Sequence, residues 1–334
     1  MNYRTIYKAV KNIEQAKNAK ELPDLFAENP RLIISPNNKC FCSCLHCVAD
    51  SNPNGITIPY SEFVKIDKRF IKIFSVADFG RRGNPLLYDS DGHDIADLMK
   101  FLNDNGINKF TLALALQRNY IPVLKKLEKY DIETMVTYHH YYENLDTLAK
   151  DFNSTLKNYL GFSKKIVISL LGDTQIAEEV QKTFQNNWDI IFSGIELAKI
   201  DDITYRTDNK EIFIPPIDTR VYPLGRFRNY LDQRGILNEY EERFEKSMGD
   251  YVCPDLLKWP GIIIEPDGSL NLCASFEAIN CRKAIVSNIF KEYSQVQDEL
   301  IKFHKKETRW FIDNLTDIIA GKVSTCKIKN GCYS

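Results

Sequence analysis

Four cysteines lie close together near the start of the chain, at Cys40, Cys42, Cys44 and Cys47. Cys40, Cys44 and Cys47 have C-x3-C-x2-C spacing, and three thiolates on one short loop can bind three irons of a [4Fe–4S] cube. The fourth iron then has no protein ligand, which suits reductive chemistry on a small molecule because that molecule must reach the metal. The spacing therefore predicts a redox-active iron–sulfur cluster with an open iron, and we expect Cys42 to point away from it.

Other uses of these cysteines are also compatible with the pattern. The four thiols could bind a structural zinc ion, although zinc sites favour two C-x2-C pairs separated by a longer loop. They could also ligate a closed cluster that has no free iron. A disulfide framework is not expected, because no signal peptide is visible and a chain of this length does not need such cross-links.

Length and composition agree with a soluble enzyme, and we expect it to be cytoplasmic. The chain has 334 residues and 44% hydrophobic content, enough for one large domain and a smaller one. Its formal net charge of −1 argues against nucleic acid or a membrane surface as an electrostatic partner. No apolar run approaches the roughly 20 residues that span a bilayer. Nine cysteines are then most simply metal ligands in a reducing compartment.

Apolar runs and amphipathic stretches alternate from residue 31 to about residue 222. The runs with strand character after Leu32–Ile34 are Ile71–Val76, Phe110–Leu116, Glu133–Tyr138, Ile166–Leu171 and Ile212–Val221, the last interrupted by Pro215 and Pro216. Between them lie stretches with helical spacing, such as Ile95, Leu98, Met99 and Leu102. This alternation predicts an α/β fold with a parallel sheet and right-handed crossovers.

The cysteine spacing directly after a first strand resembles the radical S-adenosylmethionine (SAM) enzymes. The resemblance implies a partial (β/α)6 TIM-like barrel over residues 31–226. The helical spacing of apolar residues near the start of the chain predicts an N-terminal helix ahead of the barrel, in the unit of residues 1–30. It also implies a [4Fe–4S] cluster on Cys40, Cys44 and Cys47 whose open iron binds SAM. In barrels of this type the chemistry lies at the carboxyl ends of the strands, which is where Cys40 falls.

Further positions match the family less closely. Gly83, Asn84 and Pro85 follow the second strand and resemble the Gly-Gly-Glu-Pro segment that holds the amino end of SAM, with Asn84 in place of the glutamate. His46 precedes the last cysteine, where the family has an aromatic residue near the adenine. The resemblance implies contacts with the SAM ribose or the substrate at two strand ends, Thr137 and Ser169. Arg226 would lie at the barrel mouth, where a guanidinium can hold a carboxylate or phosphate on SAM or substrate.

A second group of cysteines follows residue 250. Two short apolar strands flank Pro266-Asp267-Gly268, which predicts a hairpin. Cys253 and Cys273 lie on either side of it, and Cys326 and Cys332 follow a helical stretch from about residue 291 to 320. The arrangement resembles the SPASM and twitch extensions of radical SAM enzymes. It implies an auxiliary [4Fe–4S] cluster on these four cysteines, in a small α+β domain over residues 227–334, with zinc as the alternative metal.

The resemblance implies reductive cleavage of SAM to a 5′-deoxyadenosyl radical, with a flavodoxin or ferredoxin as reductant. The radical would abstract hydrogen from a peptide or sugar-type substrate and lead to oxidation or cross-linking. The alternative within the family is a redox-neutral epimerase, in which Cys281 would be the catalytic hydrogen donor. Outside enzymes, the alternative is a zinc-stabilised binding protein.

Overall fold

A computed structural model describes most of the chain between residues 18 and 313. The described residues are 18–42, 44, 47, 49–116, 122–139, 145–171, 177–208, 210–217, 225–248, 259–271 and 285–313. Eleven strands are present among them: β1 Phe26–Ile34, β2 Val76–Phe79, β3 Lys109–Leu114, β4 Asp131–His139, β5 Lys165–Leu171, β6 Ala198–Lys199, β7 Thr204–Thr207, β8 Lys210–Phe213, β9 Trp259–Ile264, β10 Ser269–Asn271 and β11 Ile285–Asn288.

Ten α-helices lie in the same ranges, together with short 3₁₀ turns at Leu22–Leu25 and Pro85–Leu87. The helices are α1 Tyr60–Phe63, α2 Lys68–Ile71, α3 Ile95–Asp104, α4 Val123–Leu127, α5 Leu145–Phe162, α6 Ala177–Asn186, α7 Trp188–Ile191, α8 Gly225–Gln233, α9 Leu237–Met248 and α10 Tyr293–Asp313. None of these described helices is long and apolar enough to cross a membrane.

All eleven strands belong to one sheet, in the order β11-β10-β9-β1-β2-β3-β4-β5-β8-β7-β6. The seven neighbours from β9 to β8 run parallel, and short antiparallel strands cover both edges. From β1 to β5 each strand lies beside its predecessor in the chain, so right-handed crossovers place the connecting helices on one face. This is the strand order of an open, partial barrel, and the predicted α/β class is confirmed.

The two faces of the sheet differ in character. On β5, Ile166, Ile168 and Leu170 are buried against the helices, while Lys165, Val167 and Ser169 are only half-buried. We call this second side the inner face. Towards the amino ends of the strands it carries charged pairs: Arg31 donates to Asp78 at 2.5 Å, and Lys165 lies 3.5 Å from Glu133. The apolar core therefore lies between sheet and helices, and the inner face is polar at its amino end.

Three sequence-based boundaries are wrong. The N-terminal helix does not reach residue 30, because β1 begins at Phe26, whose ring packs 5.3 Å from that of Phe74. The second strand is not Ile71–Val76 but Val76–Phe79, because Asp67 caps a helix over Lys68–Ile71. Within the described part of the final run, which ends at residue 217, strand is present only up to Phe213, ahead of the two prolines.

The predicted hairpin is present as β9 and β10, in which Ile264 pairs with Leu270. Its first strand also runs parallel to β1, with Ile33 opposite Ile263, so the hairpin extends the main sheet. The division of the chain into units of 1–30, 31–226 and 227–334 stays a prediction. The predicted late helix is present as Tyr293–Asp313.

Candidate active site

The cysteine loop, residues 35–57, follows β1 at the carboxyl edge of the sheet. Its two limbs are held together by backbone hydrogen bonds: Cys40 N–H donates to Asn52 at 3.0 Å and Asn38 N–H donates to Ile56 at 2.8 Å. Side chains reinforce this pairing, since Ser51 Oγ donates to Asn38 Oδ1 at 2.6 Å between the limbs, and Lys39 N–H donates to Asn37 Oδ1 at 2.8 Å within the first limb. The cysteines therefore lie on a braced loop at the end of the sheet where parallel α/β proteins bind their ligands.

The turn after β2 is docked directly onto this loop. Asn84 N–H donates to the Lys39 carbonyl at 2.7 Å, and Asn37 Nδ2 donates to the Asn84 carbonyl at 3.2 Å. Gly83 has φ of +66°, and a Cβ at this position would approach Asn37 Oδ1 to 2.6 Å. Only glycine allows both this conformation and this close approach.

Asn84 and Pro85 have local structural roles in this turn. The Asn84 side chain is buried, and its Oδ1 accepts from Leu86 N–H at 3.1 Å, capping the 3₁₀ turn that begins at Pro85. The main-chain N–H groups of Gly83 and Asn84 are also engaged, by the cysteine loop. A SAM contact by any of these three residues stays a prediction.

Ser51 joins the cysteine loop to the Gly83 turn, although no motif singled it out. Its hydroxyl donates to Asn38 Oδ1 at 2.6 Å and accepts from Gly83 N–H at 2.9 Å, and the residue is 2% exposed. Its own N–H donates to Cys47 Sγ at 3.4 Å. Hydrogen bonds to cluster sulfurs are one way in which proteins tune iron–sulfur potentials. Because its hydroxyl bonds to both the loop and the Gly83 turn, Ser51 is a positioning residue for the loop.

Ser51→Ala is expected to lower the free energy of unfolding by about 1–3 kcal/mol, because it removes a buried hydroxyl that bonds to both Gly83 N–H and Asn38 Oδ1 and leaves these half-buried groups without that partner. Urea denaturation under anaerobic conditions measures this change. The control is Ser154→Ala on the exposed side of α5, which should alter stability by no more than about 0.5 kcal/mol. Equal stability of the two variants would contradict the role of Ser51.

The thiols of the loop contact one another. Cys42 N–H donates to Cys40 Sγ at 3.5 Å, and Cys42 Sγ donates to the Leu116 carbonyl at 3.8 Å. A hydrogen bond with Cys42, followed by burial, raises the pKa of Cys40. The hydrogen bond with Cys40 lowers the pKa of Cys42, but a hydrogen bond with Cys44 and burial outweigh it and raise that pKa to about 11. Cys42 thus contacts Cys40 and Cys44, and the expectation that it points away from a bound cluster stays a prediction.

A buried tyrosine from α5 lies near these thiols. Tyr159 is fully buried, and its hydroxyl donates to the Ala115 carbonyl at 2.5 Å, at the end of β3. Burial raises its pKa well above the usual value, and the charges of Cys42 and Cys40 raise it further. Tyr159 thus stays protonated and ties the carboxyl end of β3 to the helix layer beneath the cysteine loop.

The side chain of Arg226 reaches the cysteine loop and contacts Asp50 and Ser51 there. Its Nε lies 3.0 Å from Asp50 Oδ1, its terminal nitrogen donates to the Ser51 carbonyl, and its backbone N–H donates to the Cys47 carbonyl at 3.2 Å. These contacts attach the start of α8 to the loop. A role for Arg226 in holding a carboxylate or phosphate stays a prediction, and it would compete with Asp50.

Thr137 and Ser169 are brought together by the sheet. They are opposite one another on β4 and β5, both half-buried, and Ser169 lies on the inner face of β5. Along their strands they lie two residues beyond Met135 and Val167, and they are therefore closer to the carboxyl edge than the Glu133–Lys165 pair. Their juxtaposition fits a shared ligand contact, which stays a prediction.

The other predicted site residues lie outside the described ranges. These are His46, Cys253, Cys273, Cys281, Cys326 and Cys332. Their assignments as an adenine neighbour, auxiliary cluster ligands and a hydrogen donor stay predictions.

A buried ion pair beside the Gly83 turn was not anticipated. Arg82 Nε donates to Glu265 Oε2 at 2.5 Å, and the side chains are 16% and 7% exposed. Glu265 follows β9, so the pair links the turn after β2 to the C-terminal hairpin. Sequence offers no signal for a contact over such a separation. By contrast, the density of Asn and Ser around the cysteines could have indicated the bracing of the loop.

The donor set of the loop fits an iron–sulfur cluster. Cys40, Cys44 and Cys47 supply soft sulfur ligands from one segment, and the sulfurs of Cys40 and Cys47 accept backbone N–H groups. Among the described residues, no three His, Cys, Asp or Glu side chains converge on the position of a single metal ion. The thiolates of a cube bind separate irons, so they need not meet at one point.

Comparisons with known proteins give similarity at the level of three-dimensional structure only. No protein-family model and no curated protein matches the chain. Streptococcus suis SuiB bound to S-adenosylmethionine is 15% identical, with a TM-score of 0.44 over 87% of this chain and 68% of SuiB. SuiB bound to precursor peptide SuiA gives 15% identity and 0.47 over 86% and 66%. BtrN in complex with AdoMet and 2-DOIA gives 14% identity and 0.38 over 90% and 93%.

Proposed function

We propose that this protein is a radical SAM enzyme, in which a [4Fe–4S] cluster on Cys40, Cys44 and Cys47 cleaves SAM reductively. When bound, such a cluster supplies one electron to SAM and yields a 5′-deoxyadenosyl radical. The observation that carries the proposal is the position of the C-x3-C-x2-C loop: it follows the strand β1 and lies at the carboxyl edge of a parallel, sequentially ordered sheet.

The protein's own residues would prepare this site in three ways. Ser51, Asn37 and Asn38 brace the cysteine loop, and Gly83 permits the next turn to approach it closely. The buried apolar layer behind the sheet fixes the strand ends from which these loops leave. Rigid support of this kind is what a reactive site needs, because small displacements of reacting groups cost rate.

The proposed substrate is a polar molecule of peptide or sugar type, modified at an unactivated C–H bond by oxidation or cross-linking. The supporting observation is the pair of polar, half-buried side chains Thr137 and Ser169 on the inner face, towards the carboxyl edge where the cysteine loop lies. A polar substrate could hydrogen-bond to this face. An auxiliary cluster on the four late cysteines is proposed to accept the electron that such an oxidation releases.

Anaerobic reconstitution with iron and sulfide tests the proposal. The protein is expected to turn brown and, with dithionite, to convert SAM into 5′-deoxyadenosine and methionine, measured by liquid chromatography and mass spectrometry. A zinc-stabilised binding protein would instead be colourless, would contain zinc by elemental analysis and would leave SAM intact. That second result would overturn the proposed function.

A further inference from the structure

The helices α8 and α9 form a hairpin, residues 225–248, that has an apolar core of its own. Phe227, Leu231 and Tyr240 are buried in this core, and the rings of Phe227 and Tyr240 meet edge to face at 5.3 Å. Among the described residues, this cluster is separate from the main core between the sheet and the other helices. The α8–α9 hairpin is therefore held together from within, and it can open as one unit without disturbing the main core.

The hairpin lies at the carboxyl end of the inner face. Leu171, the last residue of β5, packs against the apolar cluster of the hairpin. Side chains alternate along a strand, so Leu171 shares the inner face with Ser169, two residues earlier. Ser169 is in turn opposite Thr137 on β4. The hairpin is thus at the entrance to the inner face, next to the two residues that are predicted to contact SAM or substrate.

The first turn of the hairpin is fastened to the cysteine loop. Arg226 N–H donates to the Cys47 carbonyl at 3.2 Å, and the Arg226 side chain donates to the Ser51 carbonyl. The Nε atom of the same side chain lies 3.0 Å from Asp50 Oδ1. The hairpin therefore connects the two sides of the barrel mouth, from the loop after β1 to the end of β5.

The attachment to the cysteine loop is polar and partly open to solvent. The Asp50 side chain is 65% exposed and the Arg226 side chain 24% exposed. An ion pair that is this exposed adds little stability, because water can take the place of either partner. The hydrogen bond from the guanidinium to the Ser51 carbonyl is the stronger contact, since its donor is charged. A contact set of this kind can break and form again while the apolar core of the hairpin stays intact.

We propose that the α8–α9 hairpin is a lid over the barrel mouth and that Arg226 is the residue that latches it to the cysteine loop. In the closed position the lid excludes water from the inner face, and in the open position ligands enter and leave. Because the latch is made with residues next to Cys47, the lid and the cysteine loop hold one another in place. The role of the lid in the passage of SAM rests on the proposed function, whereas the latch itself does not.

Hydrogen exchange of the full-length protein, followed by mass spectrometry, tests the latch. Arg226→Gln should speed exchange of residues 225–248 about 10- to 100-fold, as the loss of a hydrogen bond from a charged group implies, and should leave β4 and β5 unchanged. Asp50→Asn removes only the exposed ion pair and should have a smaller effect in the same direction. The matched control is Arg206→Gln, which breaks an ion pair with Glu211 at the amino end of the inner face and should leave the hairpin unchanged.

Faster exchange that is confined to the hairpin supports the latch. Equal exchange in wild type and Arg226→Gln overturns it, because the hairpin is then a fixed part of the fold that does not depend on this contact. An increase that extends equally to β4 and β5 also overturns it, because the variant has then lost global stability. If Arg226→Gln does not fold, Asp50→Asn decides by the same criterion.

The rates of SAM binding to the reconstituted protein test the role of the lid in SAM passage. They are measured anaerobically with radiolabelled SAM and an unlabelled chase. A weaker latch opens the free and the occupied protein alike, so Arg226→Gln should raise the association and dissociation rates by the same factor and leave the affinity unchanged. If Arg226 instead contacts SAM, only dissociation should become faster and the affinity should fall. That result, or unchanged rates, overturns the role of the lid in SAM passage.

A failure of the lid and a failure of the proposed function can be told apart. Hydrogen exchange requires neither the cluster nor SAM, so it decides the latch even when the reconstituted protein does not bind SAM. The proposed function fails when reconstituted wild type does not cleave SAM, whatever the hairpin does. Cleavage of SAM by a protein whose hairpin exchanges equally with and without Arg226 would support the proposed function and overturn the lid.

Discussion

Replacing Cys40, Cys44 and Cys47 together by alanine is expected to reduce 5′-deoxyadenosine formation to the background of a sample without protein. The reason is that these thiolates are the proposed ligands of the cluster that delivers the electron to SAM. Iron content should fall by about four atoms per chain, as the loss of one cube requires. Anaerobic assays with dithionite, together with iron and sulfide analysis, measure both quantities on the same preparation.

Cys42→Ala is the matched control for this experiment, because Cys42 lies in the same loop and contacts Cys40. The variant keeps the three proposed ligands and should retain both the cluster and SAM cleavage. Cleavage of SAM by the triple variant would refute the ligand assignment. Loss of iron in Cys42→Ala equal to that of the triple variant would instead support the closed cluster in which Cys42 is a fourth ligand.

The same triple variant is expected to retain about four irons per chain and a visible cluster spectrum. The reason is the proposed auxiliary cluster on Cys253, Cys273, Cys326 and Cys332, which is independent of the first site and has a full set of four ligands. Electron paramagnetic resonance after reduction and iron analysis measure it. Zinc in place of the remaining iron would support the zinc alternative for this region.

The complementary variant replaces the four late cysteines by alanine and keeps Cys40, Cys44 and Cys47. It should contain one cluster and still cleave SAM, because the proposed role of the auxiliary cluster begins only after hydrogen abstraction. A triple variant that contains no iron, in a chain that is folded by circular dichroism, would contradict the auxiliary assignment.

The α/β class and most parallel strands could be predicted because each strand leaves an apolar run in the sequence. The predicted position of the second strand was wrong because Phe70, Ile71 and Phe74, which form an apolar run, are buried in and after a short helix. A short apolar run cannot distinguish a buried helical turn from a buried strand. The cap by Asp67 was the local signal that separates the two.

The candidate site was predictable only where its residues form a compact motif. The cysteine loop and the Gly83 turn are contiguous in sequence, so their proximity to strand ends could be inferred. Arg82 and Glu265 meet only because β9 aligns beside β1, and sequence spacing contains no record of that alignment. For Arg226, the sequence predicted a position at the mouth of the barrel. Its ion pair with Asp50 depends on side-chain geometry and could not be predicted.

The pairing of β9 with β1 also has a consequence for how the chain acquires its structure. Arg31 is opposite Gly261, so a strand near the start of the described chain is completed by one near its end. Contacts between such distant segments slow folding, because closing so long a loop costs chain entropy before the contacts can stabilise it. During synthesis the edge of β1 stays uncovered until the hairpin has emerged from the ribosome. We therefore expect the cysteine loop, which follows β1, to reach its final structure late. Until then the unpaired edge of β1 can pair with a strand of another chain.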